Sequence, residues 1–436
     1  MIEEPRSPPA WNDRDTGATP RSAGPLTDTV RADAVVVGGG VTGSSTALHL
    51  ARTGKSVIQL EAKAPGWGSS GRAFGNVVPC SKHSEDRIVR RYGPARGARL
   101  NAALAGAPDL VRGLLDEFRI DAALADGRWL IAAHTPSADR ALRAQAALAR
   151  EQGADVAYHG PAETAEMIGS DYYRGCLNDR RALSVDALAY GRGLARAAQQ
   201  TGVTRYDESP AVGIERINGS AWRVSTPEGE AIGGSVFLCT NAYSDALWPG
   251  LARSFIPVRG YSLISQPISG NLSSKILPNG HHVTDTRHLW SGIRKLPGGR
   301  LHVSTGGSPW RASGRPDQAG AIRRLQAVFP DLGPIEWEDQ STGWIAVTWS
   351  QLPKLLRLGE RVWGAVGYSG RGLAFGTLLG RELAKLVDDP ARDDLILPVE
   401  AARPLPFHGV TPLIAAAVIQ YYALADRWAD WRYGRR

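Results

Sequence analysis

The residues in this chain best suited to chemistry are glycines that expose backbone donors. Gly38-Gly39-Gly40-Val41-Thr42-Gly43 matches the pattern G-x-G-x-x-G. It follows a short apolar run, Ala34 to Val37, and opens a stretch of helical periodicity, which is the context a dinucleotide site needs. Gly38 allows the tight turn, Gly40 lets N–H groups reach a pyrophosphate, and Gly43 lets helix and strand pack closely. Val41 and Thr42 stand in the first helical turn, where the helix dipole adds roughly half a positive charge. Glu61 lies 18 residues past Gly43, close to the roughly 20 expected of a carboxylate that holds ribose hydroxyls, and Ala62 follows it. By itself this unit does not separate a flavin from a nicotinamide dinucleotide.

Two further segments bear on that choice. Gly66-Trp67-Gly68-Ser69-Ser70-Gly71-Arg72, with Gly75 and Asn76 just beyond, comes directly after the ribose-binding strand. An extended loop of small residues there suits a long cofactor whose flavin end is reached by backbone donors. Gly367-Tyr368-Ser369-Gly370-Arg371-Gly372 again separates a strand from a helix, which begins near Leu373. Such a helix N-terminus, aimed at the pyrimidine edge of an isoalloxazine, would stabilise the negative charge of reduced flavin. Arg371 would add to that charge or bind a neighbouring carboxylate instead.

Arg259, Tyr261, Trp290, Arg294, Trp349 and Tyr368 fall in segments expected to face a pocket. An arginine can pair a carboxylate bidentately, and aromatics can wall a flavin cavity or hold a cationic amine. Each has a structural alternative: Arg259 as a brace at a domain junction, the tryptophans as core. The nine histidines, His281-His282 among them, show no metal-ligand spacing and read as surface or core residues.

The elements that must position these groups follow from apolar patterning. Ala34 to Val37 reads as a buried parallel strand, Ser44 to Thr53 as a helix stopped by Gly54, and Ser56 to Glu61 as the next strand. Together they have the length of a right-handed crossover. Helices are predicted around Gly97–Phe118, Asp139–Gln152, Asp186–Gln200 and Leu373–Val387, with strands at Arg128–Ala132, Val203–Tyr206 and Arg361–Val366. Trp222 to Thr226 begins a hairpin, and a buried strand, Val236 to Thr240, ends at Asn241. Ile256 to Gly307 alternates short strands with turns.

At 436 residues, two domains are expected, and 43% hydrophobic with 22% charged residues is the profile of an α/β enzyme. The net charge of +8 comes from scattered arginines, without zinc-finger spacing or an RNA-binding aromatic signature, so nucleic acid is not an expected partner. Three cysteines, Cys80, Cys176 and Cys239, have no close pair spacing and read as reduced thiols. Residues 1–31 lack an apolar core of the secretory kind, and no run of 18 apolar residues occurs, so a cytoplasmic protein without a transmembrane segment is expected. Pro412 to Ala425 is apolar but short, and reads as a helix docked on the body, with peripheral membrane contact the lesser alternative.

In these blocks the sequence resembles the D-amino acid oxidase-like FAD-dependent oxidoreductases, nearest the gamma-glutamylputrescine oxidoreductase branch. The blocks are Ser7-Pro8-Pro9-Ala10-Trp11, Thr42-Gly43, Gly66 to Arg72, Cys239-Thr240-Asn241-Ala242-Tyr243, Pro257 to Tyr261, and Gly367 to Gly372, in family order over most of the chain. The resemblance implies a Rossmann-like FAD-binding domain interleaved with an α+β substrate domain built on a mixed or antiparallel sheet. Its implied boundaries are a leader at 1–30, an FAD-binding domain at 31–92, 184–250 and 337–398, a substrate domain at 93–183 and 251–336, and a helical extension at 399–436. It also implies oxidation of an amine or amino acid at a carbon–nitrogen bond, an imine that hydrolyses, and O2 as electron acceptor. A quinone-reducing dehydrogenase and a flavin-binding subunit of little turnover are the alternatives. By the same resemblance Val212 meets the adenine through its backbone, while Thr240 and Asn241 end a strand over the cofactor.

Departures from the family pattern fall near the flavin. Arg72 is followed by Ala73-Phe74-Gly75-Asn76 where the family continues Arg-Asn-Gly-Gly, and Ser350 stands where it often has Asp. Relatives with covalent flavin attach it through a cysteine in the C-terminal half or a histidine in the first loop. Here no cysteine follows Cys239 and the loop offers Gly71 and Arg72, so a non-covalent FAD is expected.

Overall fold

The computed structural model describes residues 22–433 apart from 218, 269, 290 and 307–317; Trp290 and the block Ser7 to Trp11 lie outside the described residues. The opening unit is β1 (Thr29–Val37), α1 (Val41–Arg52) and β2 (Val57–Leu60). The same layer continues with α2 (Ala187–Gln200), β3 (Thr204–Tyr206), β4 (Glu230–Leu238), β5 (Lys354–Gly359), β6 (Val362–Val366) and α3 (Gly372–Ala384). In its sheet the order runs β5-β6-β4-β1-β2-β3, and β6, β4, β1, β2 and β3 are mutually parallel.

The patterning of β1 explains why it sits at the centre. Ala34 and Val36 join a core shared with Leu48 and Leu50 of α1, Leu194 of α2 and Leu379 of α3. Val35 and Val37 join a second core on the other face, with Ile58, Leu60, Val236 and Leu238. A strand covered on both faces has no polar side, so its apolar run is continuous. Asp186 caps α2, accepting from the N–H groups of Leu188 and Ala189 at 3.0 and 2.9 Å.

The second layer is an eight-stranded mixed sheet in the order Trp337–Val347, Ile256–Ser265, Leu301–Gly306, Ser291–Lys295, His282–Asp285, Trp129–Ala132, Cys176–Asp179, Val156–His159. Alternation splits it into two faces. Leu263, Val283, Ile293 and Val303 pack with Leu325 and Val328 of the helix Gln318–Val328. Ser262, His282, Arg294 and His302 are also buried, yet polar, and hydrogen-bond to one another or to residues 76 and 184–185 of the loops beside the first sheet.

Four expectations shift. The helix expected around Gly97–Phe118 is two helices, Pro94–Ala105 and Ala107–Glu117, broken at Gly106 just before Pro108. Both pack into the α1 core through Leu100, Leu104, Val111 and Leu114, although residues from 93 onward were expected in the substrate domain. Trp337–Val347, expected in the FAD-binding domain, pairs along nearly its whole length with Ile256–Ser265 of the second sheet. Val399–Ala401 is a strand beside β5, so the segment from 399 does not start as a helix.

Candidate functional site

The β1–α1 turn is built on absent side chains. Gly38 has φ +112°, and its N–H donates to the Leu60 carbonyl at 2.8 Å. A Cβ on Gly43 would lie 1.9 Å from the Gly38 carbonyl oxygen, so no larger residue lets the helix start this close to the strand. α1 begins on Gly40 without a side-chain cap, and helix N-termini of this kind bind anions. Val41 N–H donates to Ser70 Oγ at 3.1 Å, bringing the Gly66–Arg72 loop onto this turn. Glu61 ends β2 as its spacing predicts: its carboxylate accepts from Gly39 N–H at 2.5 Å and Lys63 N–H at 2.9 Å, and burial raises its pKa. Ala62 beside it is exposed.

In the loop, Gly71 N–H donates to the Gly66 carbonyl at 3.0 Å, and a Cβ there would lie 2.3 Å from that oxygen. Gly68 lies against the Tyr243 ring, Ser69 Oγ donates to the Trp344 carbonyl, and buried Arg72 donates to the Gly68 carbonyl at 3.0 Å with its guanidinium over Trp67. Trp344 was not singled out from sequence, and Tyr243 stood there only as the last residue of the block Cys239 to Tyr243.

The returning turn meets the first one. Gly367, with φ +86°, donates its N–H to Asn241 Oδ1 at 2.9 Å, while Thr240 Oγ1 lies 2.6 Å from Ser244 Oγ. Ser369 and Gly370 also have positive φ, and Ser369 N–H donates to the Ala346 carbonyl at 3.1 Å. α3 starts at Gly372 and Leu373, again with no side-chain cap. Arg371 donates to the Cys80 carbonyl and lies 3.2 Å from Cys80 Sγ. Tyr368, expected on a pocket wall, is buried in the α1 core with its hydroxyl on Thr42. Val212 is exposed, and its N–H donates to the Ser225 carbonyl at 2.8 Å.

Opposite the cradle, His282, Arg294 and His302 are register partners across three adjacent strands. Arg294 Nε donates to His302 Nδ1 at 3.1 Å, and its Nη1 reaches Ser184 Oγ and the Val185 carbonyl at 3.3 Å. Since His302 Nδ1 accepts, its Nε2 carries the proton toward Ser262 Oγ, 2.6 Å away. His282 Nδ1 lies 2.9 Å from Asn76 Oδ1. Phe74 fills the space between: its ring is 5.2 Å from that of His302 and lies under the Arg294 guanidinium. A Cβ on Gly75 (φ +102°) would lie 2.6 Å from Arg294 Nη1. Burial lowers Arg294 to about 10 and holds both histidines well below the usual imidazole value. His282 and His302 are buried, as the surface-or-core reading of the histidines allows, and sit on the polar face; the Pro297-Gly298-Gly299 turn between Arg294 and His302 is the sequence signal for this pairing.

The other pocket candidates are dispersed. Tyr261 is buried in the second sheet, Arg259 is buried with its guanidinium over Trp344, and Trp349 is half exposed. Among the described residues no cluster of His, Cys, Asp or Glu is arranged to hold a metal ion. The Cβ-free turn, the Glu61 carboxylate beside it and two uncapped helix N-termini fit a long dinucleotide.

The family model DAO, FAD dependent oxidoreductase, matches residues 33–386. The chain is 27% identical over 415 residues to the probable oxidoreductase OrdL of Haemophilus influenzae, covering 93% of this chain and 94% of that one. It is 28% identical over 417 residues to the gamma-glutamylputrescine oxidoreductase of Escherichia coli, covering 92% and 94%. The crystal structure of glycine oxidase from Geobacillus kaustophilus shares the fold, with a TM-score of 0.68 at 24% identity over 84% of this chain and 97% of that one.

Proposed function

This chain belongs to the DAO family of FAD dependent oxidoreductases, and we propose that it oxidises a carbon–nitrogen bond of a small amine or amino acid with a dissociable FAD. The observation that carries the reading is the meeting of three glycine-rich segments in one cradle, faced by the buried row His282, Arg294 and His302. The names of the relatives, one for gamma-glutamylputrescine and one for glycine, support the substrate class.

Bound FAD supplies the acceptor for a hydride from the carbon beside the amine. The chain's part is placement and charge. The α1 N-terminus would hold the diphosphate, Glu61 the ribose hydroxyls, and the α3 N-terminus would favour negative charge at the flavin end. Arg294 stays protonated at neutral pH even at about 10. A buried cation near the bound amine would disfavour an ammonium and so favour the uncharged amine that hydride transfer needs. His302, neutral with its proton on Nε2, fixes the Arg294 side chain without adding charge. The imine product hydrolyses in water, and O2 is the electron acceptor, giving H2O2.

An anaerobic screen of amines and N-substituted amino acids, followed at the flavin absorbance band, tests the reading. Bleaching by an amine supports it; a flavin-loaded protein that no amine bleaches defeats it. Acid precipitation should leave the yellow colour in the supernatant, and colour in the pellet would show a covalent bond.

A further inference from the structure

The helix α4 (Thr411–Tyr433) is held to the body from one side. Asp426 accepts from the backbone N–H groups of His288 and Leu289, both at 3.0 Å. Asp430 accepts from the Tyr172 hydroxyl at 2.9 Å and from Arg287. The His288 ring stacks on Tyr422, and Arg174 donates to the Tyr433 carbonyl at 2.9 Å. Asp426 and Asp430 are the two acidic residues of the helix sequence, and both are engaged with the body.

The opposite face is apolar. At roughly 100° per residue, Leu413, Ala417, Tyr421, Leu424, Trp428 and Trp431 fall on one stripe about 27 Å long. Tyr421, Leu424, Trp428 and Trp431 are 66, 62, 57 and 74% exposed, and exposed Phe407 and Val410 extend the stripe ahead of the helix. Arg427 and Arg432 are exposed on its flanks, and Arg435 and Arg436 follow in the sequence. No helix among the described residues is long and apolar enough to cross a membrane.

We propose that α4 docks the protein flat on an anionic lipid bilayer. Tryptophan and tyrosine present an apolar body and a polar tip, the pairing that suits the headgroup boundary. The flanking arginines complement a negatively charged leaflet. A second copy of the chain is the poorer occupant, because its stripe would bring arginines toward arginines with no carboxylate on either outer face. The anchored inner face holds the stripe in place before contact, so little ordering is needed on binding.

Flotation of the full-length protein with vesicles tests this, using phosphatidylcholine alone and phosphatidylcholine with 30% phosphatidylglycerol (about three in ten headgroups charged). The protein should float with the anionic vesicles, more weakly with neutral ones, and its tryptophan fluorescence should shift to the blue. Arg427→Gln/Arg432→Gln should weaken partitioning to anionic vesicles roughly 30-fold. Trp428→Ser/Trp431→Ser should weaken it at least roughly tenfold on both. An unaltered far-ultraviolet circular dichroism spectrum would show that each variant remains folded. A wild-type protein that fails to float with anionic vesicles overturns the proposal. So does one that instead forms a concentration-dependent dimer in sedimentation, abolished by the tryptophan substitutions.

Discussion

The Tyr368 hydroxyl lies 2.7 Å from the Thr42 hydroxyl, joining two glycine-rich turns that are 326 residues apart in sequence. Both side chains are buried, so the bond ties the returning turn to the start of α1 where water does not compete. A contact made from the core side sets the distance between the two helix N-termini without touching any ligand.

Tyr368→Phe therefore leaves the Thr42 hydroxyl without this partner, and should cost about 1–2 kcal/mol of stability. Chemical denaturation measures it. The KM for an amine substrate should be unchanged, because the ring stays in the core; a large rise in KM with unaltered stability would put Tyr368 on the pocket wall after all.

Glu61→Gln keeps the size of the side chain and removes its charge. The hydrogen bonds proposed from Glu61 to the ribose hydroxyls would then lose their charge-assisted character, and FAD affinity should fall roughly 10- to 100-fold. Titration of the apoprotein with FAD, followed by quenching of flavin fluorescence, gives the number. A change below about threefold, or 0.7 kcal/mol, would remove Glu61 from this role.

Gly43→Val should yield protein without bound flavin, since its Cβ would lie 1.9 Å from the Gly38 carbonyl oxygen. The turn would have to open, at a cost of about 1–3 kcal/mol or more. Gly113→Ala is the control: nothing lies within 4 Å of its added Cβ, and alanine is the better helix former. Equal flavin content in the two purified variants would contradict the packing argument.

Stability should fall on mild acidification. Burial holds His282 and His302 in their neutral forms, while the unfolded chain takes up protons on both below about pH 6.5. The unfolded state then binds more protons, so the unfolding free energy rises with pH, by at most about 1.4 kcal/mol per unit for each histidine. Denaturant unfolding at intervals from pH 7 to pH 5 should show the decline. A flat profile would mean that both rings take up protons in the folded protein as readily as in the unfolded chain.

What could be read from sequence was local. The run Ala34 to Val37, the glycine turn after it and the distance to Glu61 each sit within a few dozen residues, and their physics is complete at that range. The side of the chain on which a residue ends up was harder. Tyr368 follows a glycine turn, and only the packing of α3 on α1 decides that it points into the core. The row His282, Arg294 and His302 needs strand register, which a list of histidines does not contain. Trp337–Val347 was divided from its own sheet because its partner, Ile256–Ser265, lies some 80 residues earlier and no turn marks the relation.

The sheet that builds the cradle takes β1 and β2 from the start of the chain and β6 and α3 from near its end, with most of the second sheet's sequence between them. During synthesis, the α1 face that α3 covers therefore stays open until most of the chain is made, although α2 and β4 reach α1 and β1 earlier. Loading of the prosthetic group belongs to the moments after release, and a nascent chain stalled before α3 would be a natural client for chaperones.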